Sequence, residues 1–217
     1  MSYDFSNMTL RQWQQTPKPL DDLIVQASFV DGSDSWQVFP IGMSYCYKTR
    51  AGAKHIQIGA HSELVLSAIS ETDRARRPSG FNRGVVIQNL AKNGIQNTWL
   101  ESGTYFDVLP KYKFVISPEG NGIDCHRHYE ALLAGAIPIM EHNSLIEEKY
   151  TGCPVLYTHD YSEITPAYLQ SVYESMIDKQ YDFSKLFLSS YSESDQTEIK
   201  KCGNFWMKQI TGHPWYN

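Results

Sequence analysis

Residues 111–140 constrain the fold of this chain more than any other segment. Two short apolar runs, of the kind found in buried parallel strands, enclose a glycine-rich turn and a helical pattern. The predicted elements are a strand at 114–116, a turn through Gly120 and Gly122, a helix at 125–134 and a strand at 136–140. A strand, a helix and a second parallel strand in this order form the unit from which open α/β sheets are built.

The turn between the first strand and the helix carries many polar side chains. They are Glu119, Asn121, Asp124, His126, Arg127 and Glu130. Asp124 is predicted to be the N-cap of the helix. In open α/β sheets, ligands bind at the carboxyl ends of strands, beside helix N-termini. The sequence therefore predicts a binding site in this turn.

The rest of the chain alternates between strand and helix patterns. Strands are predicted at 22–30, 54–60, 97–100 and 154–157, and helices at 84–93, 105–111, 145–150, 166–179 and within 183–212. We therefore predict an α/β fold, a Rossmann-like parallel sheet with helices on both faces. The first 20 residues are polar and predict either a poorly ordered arm or a cap on the domain.

Composition and charge exclude several classes of protein. The net charge is −5 and no run of Lys and Arg stands out, so we predict no nucleic-acid partner. No apolar stretch approaches the roughly 20 residues that span a bilayer, so we predict no membrane span. The N-terminus lacks the apolar core of a signal peptide, and the four cysteines are widely spaced. These features favour reduced thiols and a cytoplasmic location over a secreted protein with two disulfides.

The polar turn has the groups needed to bind a phosphorylated ligand. Its glycines allow close approach of the backbone, and free N–H groups at a helix N-terminus favour an anion. His126 and Arg127 add donors for a diphosphate, and Glu130, at i,i+4 from His126, suits ribose hydroxyls. Asp124 opposes this interpretation, because an N-cap carboxylate repels phosphate. In a purely structural interpretation, Asp124 caps the helix and Glu130 pairs with Arg127 or Lys113.

Two other kinds of site are disfavoured by the same residues. His126 and His128 point to opposite sides of a helix, and their spacing is not that of a helical zinc site, so we predict no metal. A phosphate-dependent hydrolase is disfavoured because the chain has no nucleophile motif.

The polar turn and its flanks resemble the signature of the exostosin-like glycosyltransferases. The matching segments are Lys113-Phe114, Ser117-Pro118-Glu119-Gly120-Asn121-Gly122, Asp124, His126-Arg127, Glu130-Ala131-Leu132 and Gly135-Ala136-Ile137-Pro138-Ile139. More loosely, Phe39-Pro40-Ile41-Gly42 is similar to the segment that enters the same half of those enzymes. The polar loop that ends at Arg83 is similar to the loop whose arginine contacts the donor phosphates. The resemblance implies the carboxyl-terminal, nucleotide-sugar-binding half of a GT-B fold.

The resemblance also implies a role for each matching polar residue. The residues implied to bind the donor diphosphate are Arg83, Lys113, Asn121, Gly122 and Arg127. Glu130 would bind the donor ribose. Asp124 and His126 would line the donor pocket and are the candidate catalytic residues, with Asp31 and Asp34 as further candidates for the base. No tightly bound cofactor is implied, and the donor would be a UDP- or GDP-linked sugar.

Three features depart from the family pattern. Glu119 stands where many relatives carry Arg, which removes a positive charge near the diphosphate. About forty residues precede Phe39, too few for the second Rossmann-like domain that usually supplies the acceptor site. The chain has no membrane anchor, unlike Golgi members, which suits a microbial or large-virus protein in the cytoplasm. We expect residues 1–38 to be an arm or vestigial segment and residues 39–217 to be the nucleotide-sugar-binding domain.

The expected activity is that of a hexosyl- or pentosyltransferase. It would move a sugar from a nucleoside diphosphate donor to a hydroxyl of a glycan acceptor. The expected partners are the nucleotide sugar, the acceptor, and a partner domain or second copy of the chain that supplies the acceptor site. The alternative is a non-catalytic module that binds nucleotide or sugar, or a donor-binding half-enzyme that needs a partner subunit.

Overall fold

The computed structural model describes residues 4–30, 35–51, 56, 58–71 and 82–217. The strands are β1 (Met8–Thr9), β2 (Glu63–Leu66), β3 (Tyr112–Ile116), β4 (Ile137–Glu141), β5 (Leu156–Thr158) and β6 (Gln180–Tyr181). The helices are α1 (Leu10–Gln15), α2 (Arg83–Lys92), α3 (Ser102–Val108), α4 (His126–Leu133), α5 (Ser144–Lys149), α6 (Pro166–Met176) and α7 (Glu193–Thr211). A π-helical turn lies at Tyr47–Ala51, and 3₁₀ turns lie at Leu20–Asp22, Leu109–Lys111, Tyr161–Glu163, Ser184–Leu186 and Leu188–Ser190.

Four parallel strands form the central sheet, in the order β2-β3-β4-β5. Phe114 of β3 pairs with Val65 of β2 on one side and with Ile137 of β4 on the other. Phe114 and Ile116 of β3 pack in one apolar cluster, and Val115, which lies between them, packs in another. The sheet is therefore buried on both faces, as parallel sheets require. This confirms the predicted α/β fold with a Rossmann-like parallel sheet.

Most of the predicted elements are present with ends shifted by a few residues. The strand predicted at 114–116 lies within β3, the helix at 125–134 is α4, and the strand at 136–140 is β4. Those predicted at 84–93, 145–150, 154–157 and 166–179 correspond to α2, α5, β5 and α6, and α7 covers much of the helical tail. The periodic and apolar patterns were sufficient for these elements because their local propensity and their burial agree.

The strand predicted at residues 22–30 is wrong. This apolar run makes only isolated bridges to other segments. The N–H groups of Ile24 and Val25 donate to the hydroxyl oxygens of Tyr129 and Tyr216, each at 2.9 Å. Tyrosine hydroxyls, rather than a neighbouring strand, accept hydrogen bonds from these buried N–H groups. The segment therefore has the apolar composition of a strand but is not paired in a sheet.

Three shorter elements also differ from prediction. Residues 97–100, predicted as a strand, make a single bridge from Asn97 to Ser67. The strand predicted at 54–60 lies partly outside the described residues, and its described part forms no strand; β2 begins after it. The helix predicted at 105–111 starts earlier, as α3, and continues as a 3₁₀ turn.

Residues 10–18 pack as a cap on the amino-terminal edge of the central sheet. Trp13 is fully buried, and its Nε1 donates to the Leu132 carbonyl at 2.7 Å. The Gln14 side chain donates to the Gly135 carbonyl at 3.0 Å, just before β4 begins. The first 20 residues are predicted to be either a poorly ordered arm or a cap on the domain. Of these, residues 10–18 form the cap. The predicted boundary between arm and domain stays a prediction.

The described part of the chain contains seven α-helices. None of its helices combines the length and the apolar character needed to cross a bilayer.

Candidate functional site

A cleft opens at the carboxyl ends of β2 and β3, where the sequence predicts a binding site. Its volume is about 390 Å³, within the usual range of small-molecule pockets. Five predicted site residues line it, namely Arg83, Asn121, His126, Arg127 and Glu130. The fold therefore brings together the start of α2, the turn after β3 and the first turns of α4.

Helix α4 begins beside the cleft without a side-chain cap. Its N-cap is Cys125, so the prediction that Asp124 caps it is wrong. Among the described residues no side chain caps these N–H groups, which leaves the start of the helix open to an anion. His126 and Glu130, four residues apart, both line the cleft, as their spacing on one helix face predicts.

Residues 41–44 are tied to the polar turn and to α4. Three hydrogen bonds join them: the Ile41 N–H donates to Asp124 Oδ2 at 2.9 Å, His126 Nδ1 donates to the Gly42 carbonyl at 2.7 Å, and the Ser44 N–H donates to Glu130 Oε1 at 3.1 Å. Gly42 is required for this path, because its φ is +78° and a Cβ would lie 2.3 Å from the Ile24 carbonyl oxygen. The segment therefore orients His126 and Glu130 through its backbone.

The hydrogen bond to Gly42 determines the tautomer of His126. Because a carbonyl oxygen only accepts, Nδ1 carries the proton, and Nε2 of the neutral ring keeps its lone pair. The described residues offer Nε2 no hydrogen-bond partner, and the ring lines the cleft. His126 thus has the geometry of a general base. The catalytic role itself stays a prediction.

Asp124 lies outside the cleft lining. Its carboxylate accepts hydrogen bonds from the Ile41 N–H, the Lys149 Nζ and the Tyr150 hydroxyl, each at 2.9 Å. The side chains of Asp124 and Lys149 are 8% and 3% exposed. Since three donors occupy a buried carboxylate, no oxygen is placed to take a proton from a substrate. The contacts give Asp124 a structural role away from the cleft lining, and its catalytic assignment stays a prediction.

Two residues implied to bind diphosphate also lie away from the cleft lining. Lys113 lies near the start of β3, with its Nζ 4.8 Å from the centre of the Tyr173 ring and 3.5 Å from Gln170 Oε1, both on α6. Gly122 is not a lining residue, and neither Gly120 nor Gly122 adopts a positive φ. The structure therefore does not bring Lys113 and Gly122 into the cleft lining with the other predicted residues, and their assignment to the diphosphate stays a prediction.

Two arginines provide the positive charge of the cleft. Arg83 is the first residue of α2, and its Nη2 donates to the Glu119 carbonyl at 2.8 Å. The guanidinium carbon of Arg127 lies 5.4 Å from the centre of the Tyr105 ring. Glu130 is the one carboxylate among the described lining residues. The balance of charge favours an anionic ligand with a hydroxyl-bearing group nearby.

The charge at position 119 lies behind the wall of the cleft. The Glu119 side chain is 2% exposed and is not a lining residue, and its N–H donates to Glu141 Oε2 at 3.0 Å. Burial raises the pKa of Glu141, the last residue of β4. The departure from the family pattern at this position therefore adds a buried carboxylate beneath the site.

The sequence analysis missed Tyr105, which lines the cleft from α3. The side chain is 9% exposed, and its buried hydroxyl has no partner at hydrogen-bonding geometry among the described residues. Burial raises the pKa of Tyr105, an effect that the nearby Arg127 charge only partly offsets. Buried hydroxyls are normally bonded, so a polar ligand atom would complete this one. An aromatic residue in a short helix is indistinguishable from core in the sequence alone.

The sequence analysis also missed the environment of Cys125, another lining residue. Its Sγ lies 3.5 Å from both ring nitrogens of His128, whose Nδ1 is 2.7 Å from Ser117 Oγ and whose Nε2 donates to the Ile123 carbonyl at 3.1 Å. Burial opposes ionisation of the thiol, but the charge of His128 and its hydrogen bond, with Arg127, lower the pKa of Cys125 below its ordinary value. The cleft wall therefore holds a thiol beside an imidazole, and this thiol also donates to the Pro118 carbonyl at 3.7 Å.

The remaining predicted features lie beyond the cleft. Asp31 and Asp34, the further candidates for a catalytic base, lie outside the described residues. Within the described part of the chain, no three His, Cys, Asp or Glu side chains converge as a metal-binding group.

Comparison with known proteins adds no assignment to this geometry. No protein-family model matches the sequence, and the curated proteins include no significant match to it. The resemblance to the exostosin-like glycosyltransferases therefore depends on the motif residues themselves.

Proposed function

We propose that the chain is a glycosyltransferase that moves a sugar from a nucleoside diphosphate donor to a hydroxyl of a glycan acceptor. The observation that carries the proposal is the convergence of Arg83, Arg127 and Glu130 in one cleft at the carboxyl edge of a parallel sheet. Open α/β sheets bind nucleotides at this edge. The exostosin-like motif adds sugar transfer, by a hexosyl- or pentosyltransferase, to what is otherwise a nucleotide site.

In this proposal the donor spans the cleft from Glu130 to the arginines. Oε1 of Glu130 is occupied by the Ser44 N–H, and the described residues offer Oε2 no partner, so Oε2 is suited to accept from a ribose hydroxyl. Arg83, Arg127 and the uncapped start of α4 hold the diphosphate, with Asn121 as a further donor.

The chemistry needs a base for the acceptor and cations for the leaving group. His126 Nε2 removes the proton from the acceptor hydroxyl, whose oxygen bonds to the anomeric carbon of the sugar as the bond from that carbon to the diphosphate breaks. Negative charge then grows on the departing diphosphate. Arg83 and Arg127 are placed to stabilise it more in the transition state than in the ground state.

A second candidate is a donor-binding half-enzyme, or a module that binds nucleotide or sugar without catalysis. This second candidate is favoured by the sheet of the described residues, which form one parallel sheet. A GT-B enzyme closes two Rossmann-like domains on its substrates. A partner subunit or a second copy of the chain would then supply the acceptor site. The cytoplasmic location stays a prediction under either candidate.

Titration calorimetry with UDP, GDP, uridine and guanosine tests the nucleotide site. We expect one diphosphate to bind and its nucleoside to bind at least about tenfold more weakly. The reason is that the arginines would contact the diphosphate and not the nucleoside. A tenfold difference in affinity corresponds to about 1.4 kcal/mol of binding free energy. Absence of binding by either diphosphate at millimolar concentration would contradict the glycosyltransferase and the donor-binding half-enzyme, and would leave only a module that binds sugar. Hydrolysis or transfer of a bound donor by the isolated chain separates the enzyme from the half-enzyme and the module.

A further inference from the structure

A second cavity adjoins the cleft, and an exposed tryptophan forms part of its wall. Its volume is about 370 Å³, and it shares Ala68, Leu100 and Arg127 with the cleft. Trp99 lines this cavity and is 79% exposed. Large aromatic side chains are usually buried for most of their area, so an indole presented to a cavity beside a binding site needs an explanation.

The backbone on the amino-terminal side of Trp99 is held in place. The Thr98 N–H donates to the Ser67 carbonyl at 2.8 Å. Asn97 accepts from the Ser67 hydroxyl and the Ile69 N–H, at 2.9 and 3.0 Å, and donates to the Ile69 carbonyl at 2.9 Å. These bonds occupy the Asn97 amide, which therefore acts as a support. An aromatic ring on a fixed backbone loses little conformational entropy when it binds a ligand.

The position of Arg127 indicates which part of a ligand would reach the second cavity. In a nucleotide sugar the diphosphate lies between the ribose and the sugar. Glu130 lines the cleft and not the second cavity, whereas Arg127 lines both. If the ribose lies at Glu130 and the diphosphate at Arg127, the group beyond Arg127 is a sugar.

The chemistry of the cavity wall fits a sugar ring. A pyranose has an apolar face of C–H groups that stacks on an indole, and a rim of hydroxyls that need polar partners. Glu71 and Thr98 provide a carboxylate and a hydroxyl beside Trp99. We propose that this cavity binds a sugar ring stacked on Trp99, an inference that rests on the proposed function. The ring belongs either to the donor or to the acceptor residue that meets it.

The first experiment measures how much the sugar adds to diphosphate binding. Calorimetry compares UDP with UDP-glucose and GDP with GDP-mannose, for the wild type, Trp99→Ala and Trp99→Phe. Tyr168→Ala is the matched control, since Tyr168 is an exposed aromatic residue on α6 outside both cavities. If the ring is the donor's, Trp99→Ala lowers the affinity for the nucleotide sugar at least tenfold and leaves that for the bare diphosphate unchanged, and Trp99→Phe retains most of it.

The second experiment tests the acceptor as the source of the ring and needs no nucleotide. Wild type and variants are applied to an array of oligosaccharides, and hits are measured by saturation-transfer NMR. If the ring is the acceptor's, Trp99→Ala abolishes binding that Trp99→Phe and Tyr168→Ala preserve.

Two results would overturn the sugar site. One is unchanged affinity of Trp99→Ala for nucleotide sugars together with no glycan that depends on Trp99. The other is a loss of affinity for the bare nucleoside in Trp99→Ala, which would mean that the base stacks there. A wild type that binds no diphosphate but binds a glycan through Trp99 would contradict the proposed function and leave the sugar site standing.

Discussion

Two buried lysines lie at opposite edges of the central sheet, and their surroundings differ. At the carboxyl edge, Lys149 lies 2.9 Å from the Asp124 carboxylate. At the amino edge, Lys18 is 6% exposed, donates to the Trp13 carbonyl at 2.6 Å and lies 4.3 Å from the centre of that indole. The described residues offer Lys18 no carboxylate, and burial lowers its pKa to about 7.

The contrast extends to the other polar groups at the two edges. His61 at the amino edge is 3% exposed, its Nε2 has no partner among the described residues, and burial lowers its pKa. At the carboxyl edge, Asp124 and Lys149 pair with each other, and His126, Arg127 and Glu130 line an open cleft. The amino edge is buried by close packing, and its isolated polar groups lower the free energy of unfolding. The carboxyl edge is organised by charge, which is what a site for an anionic ligand requires.

The largest effect is expected from breaking the ion pair at the carboxyl edge. Lys149→Met should lower the free energy of unfolding by about 3–5 kcal/mol, because it leaves the Asp124 carboxylate buried without its cation. Urea unfolding measures this. Lys201→Met is the control, because its pair with Glu198 is at the surface and should contribute less than about 1 kcal/mol. Equal effects of the two substitutions would contradict the view that charge pairing organises this edge.

The next effect concerns the backbone that supports the cleft. Gly42→Ala should cost about 3 kcal/mol, because it adds a clash with the Ile24 carbonyl to the strain of a positive φ. Gly94→Ala has a similar φ of +82° with nothing within 4 Å of the added Cβ, and should cost about 1 kcal/mol. Denaturant unfolding of both variants separates the cost of the steric clash at residue 42 from the cost of the backbone strain that both positions share. A cost for Gly42→Ala no larger than that for Gly94→Ala would show that residues 41–44 can move away from Ile24.

A third prediction compares two cations that the motif implied and the structure separates. Arg127→Ala should lower the rate of sugar transfer about a hundredfold, the usual cost of removing a preorganised donor to transition-state charge. Lys113→Ala should leave the rate unchanged, because Lys113 lies against α6. Steady-state kinetics with a matched donor and acceptor decides between them. A wild-type rate for Arg127→Ala would remove this residue from the donor site.

The smallest effect is expected at the amino edge. Lys18→Met should raise the free energy of unfolding by about 1 kcal/mol at pH 6, because it removes a buried charge at the loss of one hydrogen bond and a cation–π contact. The folded pKa of Lys18, about 7, lies below its ordinary value of 10.5. Between these pH values the unfolded state holds a proton that the folded state has released, so wild-type stability rises with pH.

The increase in the free energy of unfolding that Lys18→Met causes should therefore become smaller between pH 7 and pH 10. Urea unfolding of wild type and variant across this range measures the difference, in which groups that do not interact with Lys18 cancel; His61 does interact with it, because the charge of Lys18 contributes to lowering the pKa of His61. A gain that is independent of pH would mean that the pKa of Lys18 is the same in the folded and unfolded states, so that the effect of the substitution comes from packing alone.

Local patterns predicted much of the fold and part of the site. The apolar runs of β3 and β4 and the helical pattern of α4 need only short-range information, because neighbours in sequence determine them. Spacing alone placed His126 and Glu130 on one helix face, and both line the cleft. Sequence patterns could not show that Lys113 and Asp124 lie away from the cleft lining, because their partners, on α6 and α5, are distant in sequence.

The sequence by itself determined the strand–turn–helix–strand unit and the polar residues that it carries, because these follow from periodicity and from turn chemistry. Only the tertiary structure decided which of those polar residues reach the cleft. It turned Asp124 towards Lys149 and Tyr150, and it placed Tyr105 and Cys125 in the cleft wall. The physical reason is that a buried polar group is oriented by whichever partner satisfies it, and packing of distant elements supplies that partner.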